Sequence, residues 1–115
     1  MLSLGPAKKV TIHLNEDSTA AHDFLYKEIV LFLLDQGVSG ATMIRPAAGF
    51  GSHHRLHQTS DSGAGGEHLP VRIEFIDSKE TVDDLLPSLE LLVTDGLIEV
   101  QDTTVVKIAS RTERS

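Results

Sequence analysis

Leu25-Tyr26-Lys27-Glu28-Ile29-Val30-Leu31-Phe32-Leu33-Leu34-Asp35-Gln36-Gly37 contains an apolar run from Ile29 to Leu34, and whether that run is helix or strand decides the fold. Alone, so short a run fits a buried strand as well as a helix. Its surroundings decide for helix. Leu25, Ile29, Phe32 and Leu33 fall at i, i+4, i+7 and i+8, and Tyr26, Val30 and Leu34 widen the same stripe. Upstream, Glu16, Asp17, Ser18 and Thr19 offer N-caps and negative charge for a helix start. Downstream, Gly37 suits a left-handed C-terminal cap. The stretch predicts a helix over residues 21–36, which must lay its apolar face on a sheet.

Working outward, the sheet is legible on both sides. Before the helix, Val10, Ile12 and Leu14 alternate with Lys9, Thr11 and His13, the period of a half-buried strand. After it, residues 41–48 read as a second strand, with Thr42, Ile44 and Pro46 on one face; Pro46 cannot donate to a ladder and implies an edge or a bend. Residues 69–76 alternate again, with Val71, Ile73 and Phe75 inward and Arg72 and Glu74 outward. This third strand is expected antiparallel to the second. Asp77-Ser78-Lys79-Glu80 resembles a capping box with Asp77 as the cap, and Val82, Leu85, Leu86, Leu89 and Leu92 give a second helical stripe. Pro87 interrupts that stripe and predicts a kink or break near residues 83–86. Gly96 is expected to close the helix. Residues 97–100 and 104–108 read as a fourth strand, bent at 101–103.

The order is strand, helix, strand, strand, helix, strand. With right-handed crossovers, both helices lie on one face of the sheet. The fold class is therefore α+β, a ferredoxin-like βαββαβ arrangement with a four-stranded antiparallel sheet and two helices on one face. Residues 1–7 are expected to be a loose leader, 8–109 a single domain with a long loop at 50–68, and 110–115 a flexible tail. The uncovered sheet face would carry Thr11, His13, Thr42, Ile44, Arg72, Glu74, Ile76 and Val106, too apolar a mixture for full exposure. Burial between sister subunits is the expected remedy, so the chain reads as a homo-oligomer.

Composition narrows the function classes. The chain has 115 residues, 40% hydrophobic and 23% charged, which suits one soluble globular domain. A net charge of −7 repels a polyphosphate backbone, so nucleic acid is not an expected partner. Cysteine is absent, which removes disulfides, thiolate nucleophiles and cysteine-based zinc sites. No apolar run approaches the roughly 20 residues that span a bilayer, and the expected location is the cytoplasm.

The chemistry concentrates in Gly49-Phe50-Gly51-Ser52-His53-His54-Arg55-Leu56-His57, at the start of the long loop. Three readings stand side by side. The histidines belong to a polar surface loop; or glycine amides and Arg55 bind a phosphate or carboxylate, with histidines as added donors; or His53, His54 and His57 hold a metal through i, i+3 and i, i+4 spacing. For catalysis there is no nucleophile elbow and no Walker phosphate loop. Asp83-Asp84 and Glu16-Asp17 read as a solvated helix face and a turn, so no catalytic residue is assigned.

Several stretches, in order, resemble one family. Lys8-Lys9-Val10-Thr11-Ile12, Leu25-Tyr26-Lys27-Glu28-Ile29-Val30, Gly40-Ala41-Thr42, Gly49-Phe50-Gly51, Arg55-Leu56-His57 and Leu69-Pro70-Val71 resemble the domain-of-unknown-function family numbered 190, related to the PII signal-transduction proteins. The resemblance covers roughly residues 8–108. It implies a homotrimer with inward-facing sheets and ligand clefts between subunits beside the bases of mobile T-loops. It also implies adenine nucleotide as a ligand, with Gly49, Phe50 and Gly51 at its site; Arg55 and His57 are the further ligand candidates. The regulated targets of the family include membrane transporters and metabolic enzymes. Two departures stand out: the Gly-rich basic turn before the last strand is replaced by Asp95-Gly96-Leu97-Ile98-Glu99, and the only tyrosine is Tyr26, on the first helix rather than the loop. The expectation is a PII-like signalling protein that binds a small anionic metabolite and switches a loop. The alternatives are a metal-binding trimer resembling the cation-tolerance proteins, and an enzyme with an interface site.

Overall fold

A computed structural model describes residues 2–15, 24–45, 48–49, 57–58 and 70–109. Strand β1 (Gly5–Asn15) is followed by helix α1 (Leu25–Asp35), strand β2 (Thr42–Ile44), the short strands β3 (Ala48–Gly49) and β4 (His57–Gln58), strand β5 (Pro70–Asp77), helix α2 (Lys79–Leu92) and strand β6 (Gly96–Val105). The main sheet runs β2-β5-β1-β6, with every neighbouring pair antiparallel. This is the ferredoxin-like arrangement expected from the order of elements.

The alternations hold residue by residue. Val10 sits between Phe75 and Val100, and Ile12 between Ile73 and Ile98, on the face the helices cover. Leu25, Ile29 and Leu33 of α1 and Val82, Leu85 and Leu89 of α2 close that core. Each such side chain, taken fully from water, contributes about 1.5–3 kcal/mol. An aliphatic core of this kind explains how a chain without tryptophan holds together.

The element ends differ from expectation in instructive ways. Helix α1 starts at Leu25, four residues later than predicted, because Phe24 is extended (φ −62°, ψ 142°) and its carbonyl accepts from the N–H groups of Lys27 and Glu28. The proposed caps at 16–19 lie outside the described residues, as does Pro46. At the other end Gly37 has φ +78°, and Val38 N–H donates to the Leu33 carbonyl while Gly37 N–H donates to that of Leu34. That is a Schellman ending, as the glycine suggested.

Helix α2 is capped by Ser78 rather than Asp77: Ser78 Oγ accepts from Thr81 N–H at 3.2 Å, while the buried Asp77 carboxylate accepts from Ser78 N–H at 2.7 Å. The helix continues through Pro87 without a break. Pro87 and Asp83, whose carbonyl loses its donor, both lie on the exposed face, where water can take the freed bond.

Gly96 does not close α2, which ends at Leu92; it opens β6. A Cβ there would stand 2.3 Å from the His13 carbonyl oxygen and 2.9 Å from Leu14 Cδ2, so close strand approach requires the glycine. Nor does β6 bend at 101–103. It pairs with β1 continuously from Gly96 opposite Leu14 to Val105 opposite Gly5, aided by an ion pair between Lys8 and Asp102. The same pairing draws Gly5, Pro6 and Ala7 into β1, within the stretch expected to be a loose leader.

Candidate functional site

The parity that buries Val10, Ile12 and Leu14 places Lys9, Thr11 and His13 on the face without helices. Across the ladder, Thr42, Glu74, Thr11 and Glu99 form one row; Ile44, Arg72, His13 and Leu97 form the next; Ile76, Lys9 and Gln101 form a third. Ionisable side chains on this face approach one another. Glu74 lies 3.8 Å from Lys9 Nζ and 3.6 Å from Arg72 Nε, and His13 Nε2 lies 3.5 Å from Glu99. At the centre Thr11 is only 3% exposed, so the neighbouring side chains close over the threonine within one chain.

Toward the β2 edge the face deepens into a cleft lined by Lys9, Ser39, Gly40, Thr42, Glu74 and Ile76. The α1–β2 connection supplies Ser39 and Gly40, β2 supplies Thr42, and the central strands bring the ammonium and the carboxylate. A Cβ added at Gly40 would meet nothing within 4 Å, so the chain's own packing does not require glycine there. The arrangement can hold a polar ligand: Lys9 offers a cation to an anionic group, Thr42 a hydroxyl, Glu74 an acceptor for ligand hydroxyls or amines, and Ile76 an apolar wall.

The loop candidates fall on both sides of the described residues. β3 and β4 form a separate two-stranded ribbon in which Gly49 stands opposite His57 and Ala48 opposite Gln58. Two residues separated by seven in sequence are thus brought together as cross-strand partners at the start of the long loop. Phe50, Gly51, His53, His54 and Arg55 lie outside the described residues. Among the described residues no group of three His, Asp or Glu side chains is placed to hold a metal, and no helix is long and apolar enough to cross a membrane.

Lys9 and Glu74 are the cleft residues that reading the loop overlooked. Their signal was present in the alternation, which set both on the open face. What one strand's period does not contain is the sideways pairing that brings Lys9 of β1 to Glu74 of β5. Glu99, conspicuous in the sequence as an acid where the PII proteins carry a basic turn, has the His13 imidazole 3.5 Å away.

Comparison with known proteins supports the resemblance read from the sequence. The family model DUF190, described as an uncharacterized ACR, matches residues 7–105. A UPF0166 protein of Methanocaldococcus jannaschii is 34% identical over 102 residues, covering 88% of this chain and 93% of its own. A UPF0166 protein of Aquifex aeolicus is 30% identical over 104 residues, covering 86% and 92%. Among solved structures, CPII, a nitrogen regulatory PII-like protein from Thiomonas intermedia bound to ADP, AMP and bicarbonate, matches with a TM-score of 0.65 and 26% identity. That match covers 93% of this chain and 94% of CPII. A PII-like protein from Thermus thermophilus shares the fold, with a TM-score of 0.64 and 23% identity over 91% of this chain and 94% of its own.

Proposed function

The chain belongs to the DUF190 family, and from that membership and its PII-like fold we propose that it is a cytoplasmic regulatory protein that binds an adenine nucleotide and answers by reordering its long loop. The observation that carries this reading is the match to CPII, a PII-like protein bound to ADP, AMP and bicarbonate, over nearly the whole of both chains. The cleft beside Gly40 supports it: a ligand there meets an ammonium, a hydroxyl and a carboxylate at the edge strand from which the loop departs. In this proposal three copies assemble with their open sheet faces inward. Each cleft is completed by a neighbouring copy, and Gly49, Phe50, Gly51, Arg55 and His57 close over the ligand from the loop base. The ligand biases loop conformations, and one of them docks on a transporter or metabolic enzyme.

Isothermal titration of the full chain with ADP and with AMP tests the reading. Saturable binding weakened at least tenfold by Lys9→Met and by Gly40→Val, with unchanged far-UV circular dichroism, is expected. Absence of heat for either nucleotide at millimolar concentration would remove adenine nucleotides as the ligand. Steady conversion of bound nucleotide to product would replace the regulatory reading with an enzymatic one.

A further inference from the structure

On the helical side of the molecule, away from the open sheet face, α1 and α2 do not finish in a polar surface. Leu31 and Leu34 of α1 are 59% and 73% exposed, and Leu91 of α2 is 81% exposed. Leu31, Leu34, Phe32 and Leu92 line one groove, and Glu28 and Asp35 line it with them. The spacing explains the layout: Glu28, Leu31 and Asp35 lie at i, i+3 and i+7, so a carboxylate stands at each end of an exposed leucine stripe on α1. This stripe is separate from the one that faces the core through Leu25, Ile29 and Leu33, and Leu34, expected from its spacing to widen the core stripe, belongs to the exposed one. Packing among the described residues therefore does not account for it, and an exposed apolar patch rimmed by charge is the form an interaction surface takes.

Charge selects the occupant. The two helices carry six carboxylates, Glu28, Asp35, Glu80, Asp83, Asp84 and Glu90, against two lysines, Lys27 and Lys79. Lys79 is already paired with Asp83 at 2.7 Å. A second copy docking by the same face would bring like charge against like charge, and an anionic lipid surface would be repelled in the same way. A cationic amphipathic segment meets both requirements, apolar side chains for the groove and ammonium or guanidinium groups for its acidic ends. We infer that the groove between α1 and α2 docks a basic amphipathic helix of another protein, by the helix-in-groove mode of recognition. The surface lies on the opposite side of the sheet from the ligand cleft and does not depend on which ligand the cleft takes.

The test uses a fluorescein-labelled amphipathic helical peptide of leucine and lysine, with the corresponding leucine and glutamate peptide as its control, titrated with the full chain and read by anisotropy. Saturable binding of the lysine peptide at one per chain is expected, with the glutamate peptide at least tenfold weaker. Leu31→Ser/Leu34→Ser should weaken the lysine peptide at least tenfold with circular dichroism, melting temperature and sedimentation unchanged, both leucines being already exposed. Glu28→Lys/Asp35→Lys should invert the preference between the two peptides. Lysine-peptide affinity unmoved by the leucine substitutions would place binding elsewhere on an acidic surface and overturn the inference. A fall in the chain's own oligomeric mass in the leucine variant would overturn it too, by making the groove a contact between copies.

Discussion

Gly96 shows how one residue is fixed by the strand beside it rather than by its own conformation. An added methyl would meet a backbone carbonyl of β1, which cannot move aside without disturbing the ladder on both of its flanks. Overpacking of this kind costs typically about 1–3 kcal/mol, so Gly96→Ala should lower the free energy of unfolding by that much, read as a lower urea midpoint at unchanged slope. A midpoint equal to the parent's would mean the two strands separate freely there. At the other end of the same ladder, the hydrogen-bonded ammonium of Lys8, together with its charge, holds Asp102 below its ordinary value of 3.8. A carboxylate depressed on folding adds stability above its unfolded pKa, and that contribution is lost as pH falls through the folded value. The stability difference between the parent chain and Asp102→Asn should therefore be constant at neutral pH and shrink below about pH 4. Being exposed and screened, the pair should give a small effect that high salt reduces; a difference that grows on acidification would reverse the assignment. Neither role was legible beforehand. Gly96 resembled a helix ending and Asp102 a bend, because both meanings depend on what lies across the ladder.

At the scale of elements, the sequence pattern was most informative where burial enforces a period. Strands β1 and β5 and the stripes of α1 and α2 each carry a face buried against the others, and a one-residue slip would turn every core side chain to solvent. Their identity and order were therefore readable. Their ends were less so: Gly37 marked the end of α1, but the start of that helix and the cap and end of α2 were misplaced. Ends depend on which group takes the last unpaired amide, as when Asp77 accepts from Ser78 N–H and leaves Ser78 to cap the helix. Pro87 belongs to the same class. A proline expected to break α2 is tolerated because it falls on the solvated face, at a position that leaves Val82, Leu85 and Leu89 in register. It still forfeits one hydrogen bond and a favourable helix propensity, so Pro87→Ala should raise stability, by up to about 3 kcal/mol. Thermal unfolding followed by circular dichroism checks this; a lowered melting temperature would mean that the ring makes contacts worth more than the missing bond.

For the whole molecule, the open sheet face is the surface on which the proposed assembly and the proposed ligand cleft both depend. It presents Lys9 and Arg72 against Glu74 and Glu99, two charges of each sign, with Ile44, Ile76 and Leu97 among them. A face so balanced in charge and so mixed in polarity is poorly suited to lasting solvation and well suited to a copy of itself, since the formal charges of Lys9, Arg72, Glu74 and Glu99 already cancel before the surface is covered. The helical face, with its surplus of carboxylates, lacks that property. Assembly should therefore run through the sheet, and introducing carboxylates there should undo it. In Ile76→Glu/Leu97→Glu each copy brings two further negative charges, with no added cation to receive them, into a surface that assembly would take from water. Sedimentation equilibrium at micromolar concentration should give a multiple of the 12.5 kDa chain for the parent and the single-chain mass for the variant, with the circular dichroism of both alike. Leu97 is 54% exposed in the single chain, so folding alone does not require it. A parent that sediments as one chain would remove the inward-facing assembly, and with it the completion of the cleft by a neighbour. A variant that keeps the parent's mass would move the contact off the sheet, leaving the Lys9 and Glu74 cleft open to solvent in the assembled protein.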